Sequence, residues 1–514
     1  MKSTISAKAW TLLPLLTIST MVLAQEKRPN IIVFVVDDMG WQDTSLPFHT
    51  QKTTLNHRFH TPNMERLASM GAKFTQAYAS SVSSPSRCSL LTGANAARHR
   101  VTNWTHLKDT STDEPHLTLG MPQWNVNGAQ PVGNIPQSFA ATSFAQILAK
   151  NGYHTIHCGK AHFGATETPA ANPLNYGFDV NIAGHAAGGL ASYLGTQRFG
   201  HDQSGNPMSR FAIPGLEQYW DQDIFVTEAL TLEAIKAIDK AMTADQPFLL
   251  HLAHYAVHVP IQADQRFVDK YLQQGLPEPE AAYASMVEGM DKSLGDIMDF
   301  LEEKGALSNT IILFISDNGG YSLHGRTPPL HTHNAPLRSG KGAAYEGGIR
   351  VPMIVYWNEG VQPGSVINDC VIIEDCFPSL LELANIERYE TLQTIDGESF
   401  VPLLKGKKAH SQERLFVWNM PNNWIAGDNR KHGIGPTCTI RQGDYKLIYW
   451  YEDGKKELYD IKNDISETTD LSCKLPRTTQ KLSKLLSKQL RKMGAQRPIH
   501  LQTGKLCLWP DGKQ

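Results

Sequence analysis

Two short acidic stretches carry the first sign of chemistry. The apolar run 31–36 ends in Asp37-Asp38, and the run Thr310–Ser316 ends in Asp317-Asn318. Three carboxylates and one amide oxygen, converging from two strand ends, form an oxygen-rich set suited to a hard cation such as Ca²⁺ or Mg²⁺. Asp, Asn and Gly also favour turns, so either pair alone reads equally well as the start of a solvated loop. The third feature is Ser83-Ser84-Pro85-Ser86-Arg87-Cys88-Ser89-Leu90-Leu91-Thr92-Gly93. Pro85 fits the first turn of a helix that begins here, which leaves Ser83 at its N-terminus. Free backbone N–H groups and the positive end of the dipole meet an anion there. Arg87 lies one turn further on and can face the same anion; the alternative is an ordinary serine-rich cap.

Such residues need a scaffold that brings strand ends together. The run 31–36 (IIVFVV) is continuously apolar, as a strand buried on both faces must be. Thr61-Pro62 offers an N-cap and a first helical position for a helix through Met64 and Leu67 that stops near Gly71. A helix over 143–150 with Gly152 as its stop leads to a strand at 153–157, and 248–252 is another buried strand. The longest helix carries Met286, Met290, Leu294, Ile297 and Leu301 on one face, ends at Gly305 and feeds the strand Thr310–Ser316; 351–357 closes the series. This alternation predicts an α/β fold, a large and mostly parallel sheet sandwiched by helices, with ligands beyond the carboxyl ends of its strands. After about residue 405 the texture changes to short alternating segments at 415–418, 438–441 and 446–451. These predict a small antiparallel sheet covered by a helix bearing Leu482, Leu485, Leu486 and Leu490. The long polar stretches 100–135, 165–220 and 420–436 are placed to shape a substrate site.

Composition narrows the function. With 48 basic against 50 acidic side chains in 514 residues and a net charge of −2, there is no global field for nucleic acid. A charged fraction of 19% and an aromatic fraction of 9% also exclude wholesale disorder. Lys2 and Lys8, the apolar stretch 9–23 and Val22-Leu23-Ala24 read as a cleaved secretory signal over 1–24 and hence a periplasmic or secreted protein. No later segment is apolar enough to span a membrane in the mature chain. The remaining chain divides into 25–405, which carries the acidic pairs and the Ser83 segment, and 406–514, a C-terminal α+β subdomain. Seven cysteines without CxxC spacing argue against a zinc knuckle or redox pair and leave room for one disulfide at an unassigned position.

The segment 83–93 resembles the signature of the type I sulfatases of the alkaline-phosphatase-like superfamily: Ser83 at the modified position, Pro85-Ser86-Arg87 as the core, Thr92-Gly93 as the end. Gly159-Lys160-Ala161-His162-Phe163-Gly164 is similar to the family's second signature, with Ala161 where Trp is common. His258 in Ala256-Val257-His258-Val259-Pro260 matches its His-x-Pro segment. Gly340-Lys341-Gly342 and Glu346-Gly347-Gly348-Ile349-Arg350-Val351-Pro352 match the block after the second acidic pair. The resemblance spans roughly 29–360, in order. It implies that Ser83 is oxidised to formylglycine by an anaerobic radical maturing enzyme before export, as in the bacterial serine-type enzymes. It further implies one Ca²⁺ on Asp37, Asp38, Asp317 and Asn318, with residue 83 beside it. By the same resemblance, Arg87, Lys160 and Lys341 supply positive charge around the sulfate. His258 protonates the departing sugar oxygen, and His162 helps release sulfate.

The alcohol is not named by the resemblance. Trp104 is a candidate to stack on a sugar face, and His185 and Arg338 are candidates to reach hydroxyls or neighbouring sulfates of a galactose- or N-acetylgalactosamine-type glycan. Two other readings stay open at this point. One is a phosphatase or phosphodiesterase of the same superfamily using unmodified Ser83, and the other is a glycan-binding relative without turnover.

Overall fold

The computed structural model describes residues 28–407 and 413–514, so the expected signal at 1–24 lies outside the described residues. Eight strands build the larger sheet. In chain order they are β1 (Asn30–Val36), β2 (Ala72–Tyr78), β3 (His154–Gly159), β4 (Val180–Ile182), β5 (Phe248–Ala253), β6 (Thr310–Ser316), β7 (Arg350–Tyr356) and β8 (Ser365–Ile372). Across the sheet they run β8-β2-β7-β6-β1-β5-β3-β4. Only β7 runs antiparallel to its neighbours β6 and β2; the remaining pairs are parallel. The fold is therefore α/β with a mostly parallel sheet, as the alternation predicts.

The central strand explains why both faces must be covered. Every residue of β1 is buried, and its side chains alternate between two cores. Ile32, Phe34 and Val36 pack in one core with α1 (Pro62–Met70), α4 (Val226–Thr243) and α5 (Glu278–Glu303). Ile31, Val33 and Val35 face a second core with α2 (Ser83–Thr92), α3 (Phe144–Lys150) and α6 (Cys376–Leu383). Burying one such side chain contributes about 1.5–3 kcal/mol, so a strand apolar on both faces is stable only when sandwiched. At the start of α1 the expected Thr61 cap is not made, because its hydroxyl pairs with Thr44 and Ser45. Asp291 of α5 accepts instead from the backbone N–H groups of Asn63 and Met64.

The second sheet is antiparallel and follows sequence order: β9 (Leu415–Met420), β10 (Thr437–Gln442), β11 (Tyr445–Trp450) and β12 (Lys456–Asp460). Leu482, Leu486 and Leu490 of α7 (Pro476–Met493) cover Val417, Ile440 and Leu447. Strand β12 was not expected from the sequence. All seven cysteines are free thiols. Among the described residues no helix is long and apolar enough to cross a membrane.

Candidate active site

The carboxyl ends of β1 and β6 lie side by side, because the two strands pair in register from Asn30↔Thr310 to Val36↔Ser316. Asp37-Asp38 and Asp317-Asn318 therefore emerge together. Ligand oxygens of Asp37, Asp38 and Asp317 all lie within 4.8 Å of one another, and all three residues are fully buried. The Asp38 N–H donates to Asp317 Oδ1 at 3.2 Å, and Asn318 Nδ2 donates to Asp38 Oδ1 at 2.9 Å. Asp38 has φ of +63°, in the left-handed region that non-glycine residues seldom adopt. The buried, all-oxygen donor set fits a hard divalent cation.

Helix α2 points its N-terminus at this cluster. Ser83 is its first residue, 3% exposed, and every residue of the helix is buried. Ser83 Oγ donates within reach of Asp37 Oδ1 (3.2 Å) and Asn318 Oδ1 (3.1 Å) and accepts from Lys160 Nζ at 3.1 Å. Lys160 stands just past the end of β3, and its N–H is tied to Ala253 O at the end of β5 (2.7 Å). A Cβ at the preceding Gly159, where φ is +97°, would lie 2.0 Å from that same carbonyl, so only glycine fits the approach.

Charge is balanced pair by pair. Lys160 Nζ reaches Asp37 Oδ2 at 2.6 Å, Lys341 Nζ reaches Asp38 Oδ2 at 2.8 Å, and Arg87 Nε reaches Asp317 Oδ2 at 2.8 Å. Burial pushes the Asp37 carboxyl up to about 8 despite Lys160. Burial acts on Asp38 in the same direction, but Lys341 overcomes it and holds Asp38 well below the usual carboxylate range. Burial also works on Asp317, and there Arg87 wins. Arg87 Nη2 remains buried without a hydrogen-bond partner.

Two histidines complete the cluster. The segment before His258 is stitched to β1 by Asp37 N–H to Ala256 O (2.9 Å) and Val257 N–H to Asp37 O (2.6 Å). His258 Nδ1 lies 2.8 Å from Val259 O, which assigns the proton to Nδ1 and leaves Nε2 3.8 Å from Asp38 Oδ2. Burial and then Lys341 push the His258 pKa down to about 3. His162, with φ of +56°, places Nε2 2.8 Å from Thr105 O and 2.9 Å from Ser84 Oγ; burial and then Lys160 keep it neutral.

Above these groups lies a cavity of about 290 Å³. Ser83, His162, His258 and Lys341 form its floor, and Trp104 stands in its wall as the sequence suggested for a sugar-facing ring. His185 and Arg338 are not among its lining residues. His185 backs the wall, where its carbonyl accepts the His162 N–H at 3.3 Å. Arg338 turns toward the second sheet, donating to Glu467 O at 2.9 Å with its guanidinium 3.8 Å over the Tyr345 ring.

Sequence reasoning missed Gly188, Gly189, Phe211, Tyr321, His324 and Trp424, all of which line the cavity. The signal for Gly188, Gly189, Phe211 and Trp424 was their place in the long loops 165–220 and 420–436. A Cβ at Gly188 would lie 2.1 Å from the His162 ring, and one at Gly189 would lie 3.0 Å from that of His258.

Comparison with known proteins points to one family. A family model described as Sulfatase matches residues 29–386, and one described as N-sulphoglucosamine sulphohydrolase, C-terminal, matches 340–496. A protein named Sulfatase from Formosa agariphila is 29% identical over 507 residues, covering 90% of this chain and 88% of its own. The N-acetylgalactosamine-6-sulfatase of Homo sapiens is 28% identical over 444 residues, covering 79% and 74%. Among solved structures, Ps i-CgsB in complex with k-i-k-neocarrahexaose superposes with a TM-score of 0.70 at 27% identity, covering 90% of this chain and 92% of that one.

Proposed function

The chain belongs to the sulfatase family, enzymes that hydrolyse sulfate esters, and from that premise we propose that it removes sulfate from a carbohydrate through a formylglycine made from Ser83 and a calcium ion. The observation that carries the proposal is Ser83 Oγ held at 3.1–3.2 Å from Asp37, Asn318 and Lys160 at the N-terminus of a buried helix. The relatives named N-acetylgalactosamine-6-sulfatase and the neighbour solved with k-i-k-neocarrahexaose support a galactose- or N-acetylgalactosamine-type sugar. The reading of 1–24 as a secretory signal supports a periplasmic or secreted enzyme whose maturation precedes export.

Asp37, Asp38, Asp317 and the Asn318 carbonyl would hold the ion. Bound Ca²⁺ supplies positive charge to the sulfate oxygens and acidifies a hydroxyl beside it. Asp37, Asn318 and Lys160 would hold a formylglycine at residue 83, whose hydrate would offer one hydroxyl to sulfur as the sugar oxygen–sulfur bond breaks and a second hydroxyl whose proton loss would restore the aldehyde as sulfate leaves. The chain's own residues do the rest. Asp37, Asp38 and Asp317 already neutralise Lys160, Lys341 and Arg87, so a divalent cation makes the site net positive and able to take an anion. Lys160 and Lys341 orient the sulfate, and the unpartnered Arg87 Nη2 is available to residue 83 or to its anionic ligand. His258 Nε2, the nitrogen not spent on Val259, is bare in the neutral ring; it must first take up a proton, which a bound sulfate anion beside it favours, and then hands that proton to the departing sugar oxygen. His162 Nδ1, 3.4 Å from Ser84 Oγ, is the acceptor of its ring, since Nε2–H is directed at Thr105 O.

The test uses protein made in an anaerobic host that carries a sulfatase-maturing enzyme. Mass spectrometry of the tryptic peptide 74–87 should show loss of two hydrogens at Ser83. The same protein should release sulfate from N-acetylgalactosamine 6-sulfate or sulfated galactan oligosaccharides, lose that activity on chelation and regain it with Ca²⁺. Turnover of phosphate esters by unmodified protein, restored by Zn²⁺ alone, would overturn the reading.

A further inference from the structure

The motif Glu346-Gly347-Gly348-Ile349-Arg350 takes no part in the chemistry above, yet it carries a fully buried charge network. Lys446 Nζ of β11 lies 3.0 Å from Glu346 Oε1 and 2.9 Å from Glu467 Oε1, and all three side chains are 0% exposed. Tyr78 OH donates to Glu346 Oε2 at 2.7 Å, Arg350 Nη1 lies 3.2 Å from the same oxygen, and Arg441 of β10 donates to Tyr78 OH. Glu467 Oε2 in turn accepts the backbone N–H of Glu346 at 2.6 Å. The loop after β12 therefore grips the main chain five residues after Lys341.

Further contacts fix the same stretch on either side of Lys341. Arg338 donates to Glu467 O, and Tyr345 OH donates to Glu457 Oε2 of β12 at 2.9 Å. The Ala344 N–H donates to Gly433 O at 2.8 Å, and Gly342 sits so close to Trp424 that a Cβ would lie 2.1 Å from its ring. The N-terminal part holds the middle of the stretch, where the Lys341 N–H donates to Gly320 O at 3.0 Å and the Gly342 N–H to Ser81 O at 2.8 Å, while the C-terminal part holds its two ends. Lys341 is the only side chain in this stretch that reaches the carboxylate cluster.

We propose that Glu467 is a positioning residue for Lys341: by accepting the Glu346 N–H and pairing with Lys446, it sets the path of residues 340–346 and so the placement of the Lys341 ammonium against Asp38. A buried charge pair is a poor source of net stability but holds a single geometry, which is what a catalytic cation needs. The inference rests on Lys341 serving the sulfate site as proposed above, and it assigns the second sheet a part in the chemistry.

A double-mutant cycle tests it, with kcat and KM for sulfate release measured on N-acetylgalactosamine 6-sulfate and 4-nitrophenyl sulfate. In the wild-type background Glu467→Gln should lower kcat/KM about tenfold, the size usual for a residue supporting a catalytic ligand. In the Lys341→Ala background the same change should cost less than about twofold, because the residue through which it acts is gone. Equal losses in both backgrounds would overturn the proposal, since a merely structural role is additive. Hydrogen exchange gives a readout independent of turnover: amides 340–346 should exchange faster in Glu467→Gln while those of β1 do not, and unchanged exchange at 340–346 would also overturn it. Should Glu467→Gln fail to fold, Arg338→Lys, on a partly exposed side chain, runs the same cycle with the same two outcomes. A wild type that releases no sulfate defeats the sulfatase reading alone, and the exchange experiment still decides the positioning.

Discussion

At the scale of single residues, the division of labour between His258 and the cations can be read from leaving groups. A proton donor matters most when the departing oxygen is a poor leaving group, as a sugar alkoxide is, and least for a nitrophenolate. His258→Asn should therefore lower kcat about 10²–10⁴-fold on a sugar sulfate and far less on 4-nitrophenyl sulfate. Similar losses on both would move the histidine from proton transfer to binding. Ser83→Ala should abolish sulfate release on either substrate while leaving the melting midpoint in place. The carboxylates of the site were legible because each follows a continuous apolar run, so strand, strand end and ligand appear together in one stretch of sequence. Arg338 was not legible. A lone arginine near a Gly-Lys-Gly stretch looks available to a ligand, and its partners, Tyr345 and Glu467, are revealed only once the second sheet folds back over it.

At the scale of elements, the cavity depends on loops that let backbone come very close to the His162 and His258 rings. Gly188→Ala inserts a methyl group about where the His162 ring stands. We expect a fall in kcat of at least tenfold with little change in the melting midpoint, because the loop can shift but the ring then leaves its seat. Retained kcat would show that His162 tolerates displacement. The strands were legible where periodicity was strong and missed where it was not. β2 has polar Lys73, Thr75 and Gln76 among its seven residues, and β8 lies at the sheet edge with exposed Val366 and Asp369, so neither presents the buried-strand pattern. The same holds for the short β4, whose residues are only half buried. The long loops advertised a site through length and composition alone, which is why Phe211 and Trp424 could be placed in a region but not in a role.

At the scale of the whole molecule, stability should fall in mild acid. Burial pushes His99, His106 and His185 down to about 4, and His157 and His254 down to about 3. A histidine of the unfolded chain titrates near 6.5, so below that pH the unfolded state takes up protons that the folded state refuses. Their contribution is complete above pH 6.5 and is lost as pH falls toward 4. Asp37, Asp291, Glu374 and Glu467, which burial raises to about 7 to 8, pull the other way, and they are outnumbered because burial also lowers His162, His251, His258 and His331. Melting midpoints should hold or rise from pH 7.5 to pH 6.5, where only the carboxylates take up protons, and fall from pH 6.5 to pH 5; no fall below pH 6.5 would mean that these rings are hydrated in the folded protein.

The burial of helix α2 also fixes an order of events. Ser83 lies in the cavity floor, only 3% exposed, and every residue of its helix is buried, so a second protein has no room to close around it. If Ser83 is converted as proposed, the converting enzyme must meet it as part of an open chain, and the finished fold would act as a deadline for activation. Folded, unconverted protein offered to a maturing enzyme should stay unconverted, whereas a synthetic peptide covering 74–93 should be accepted, with mass spectrometry reading both. Protein that misses its moment would be stable, well folded and permanently silent.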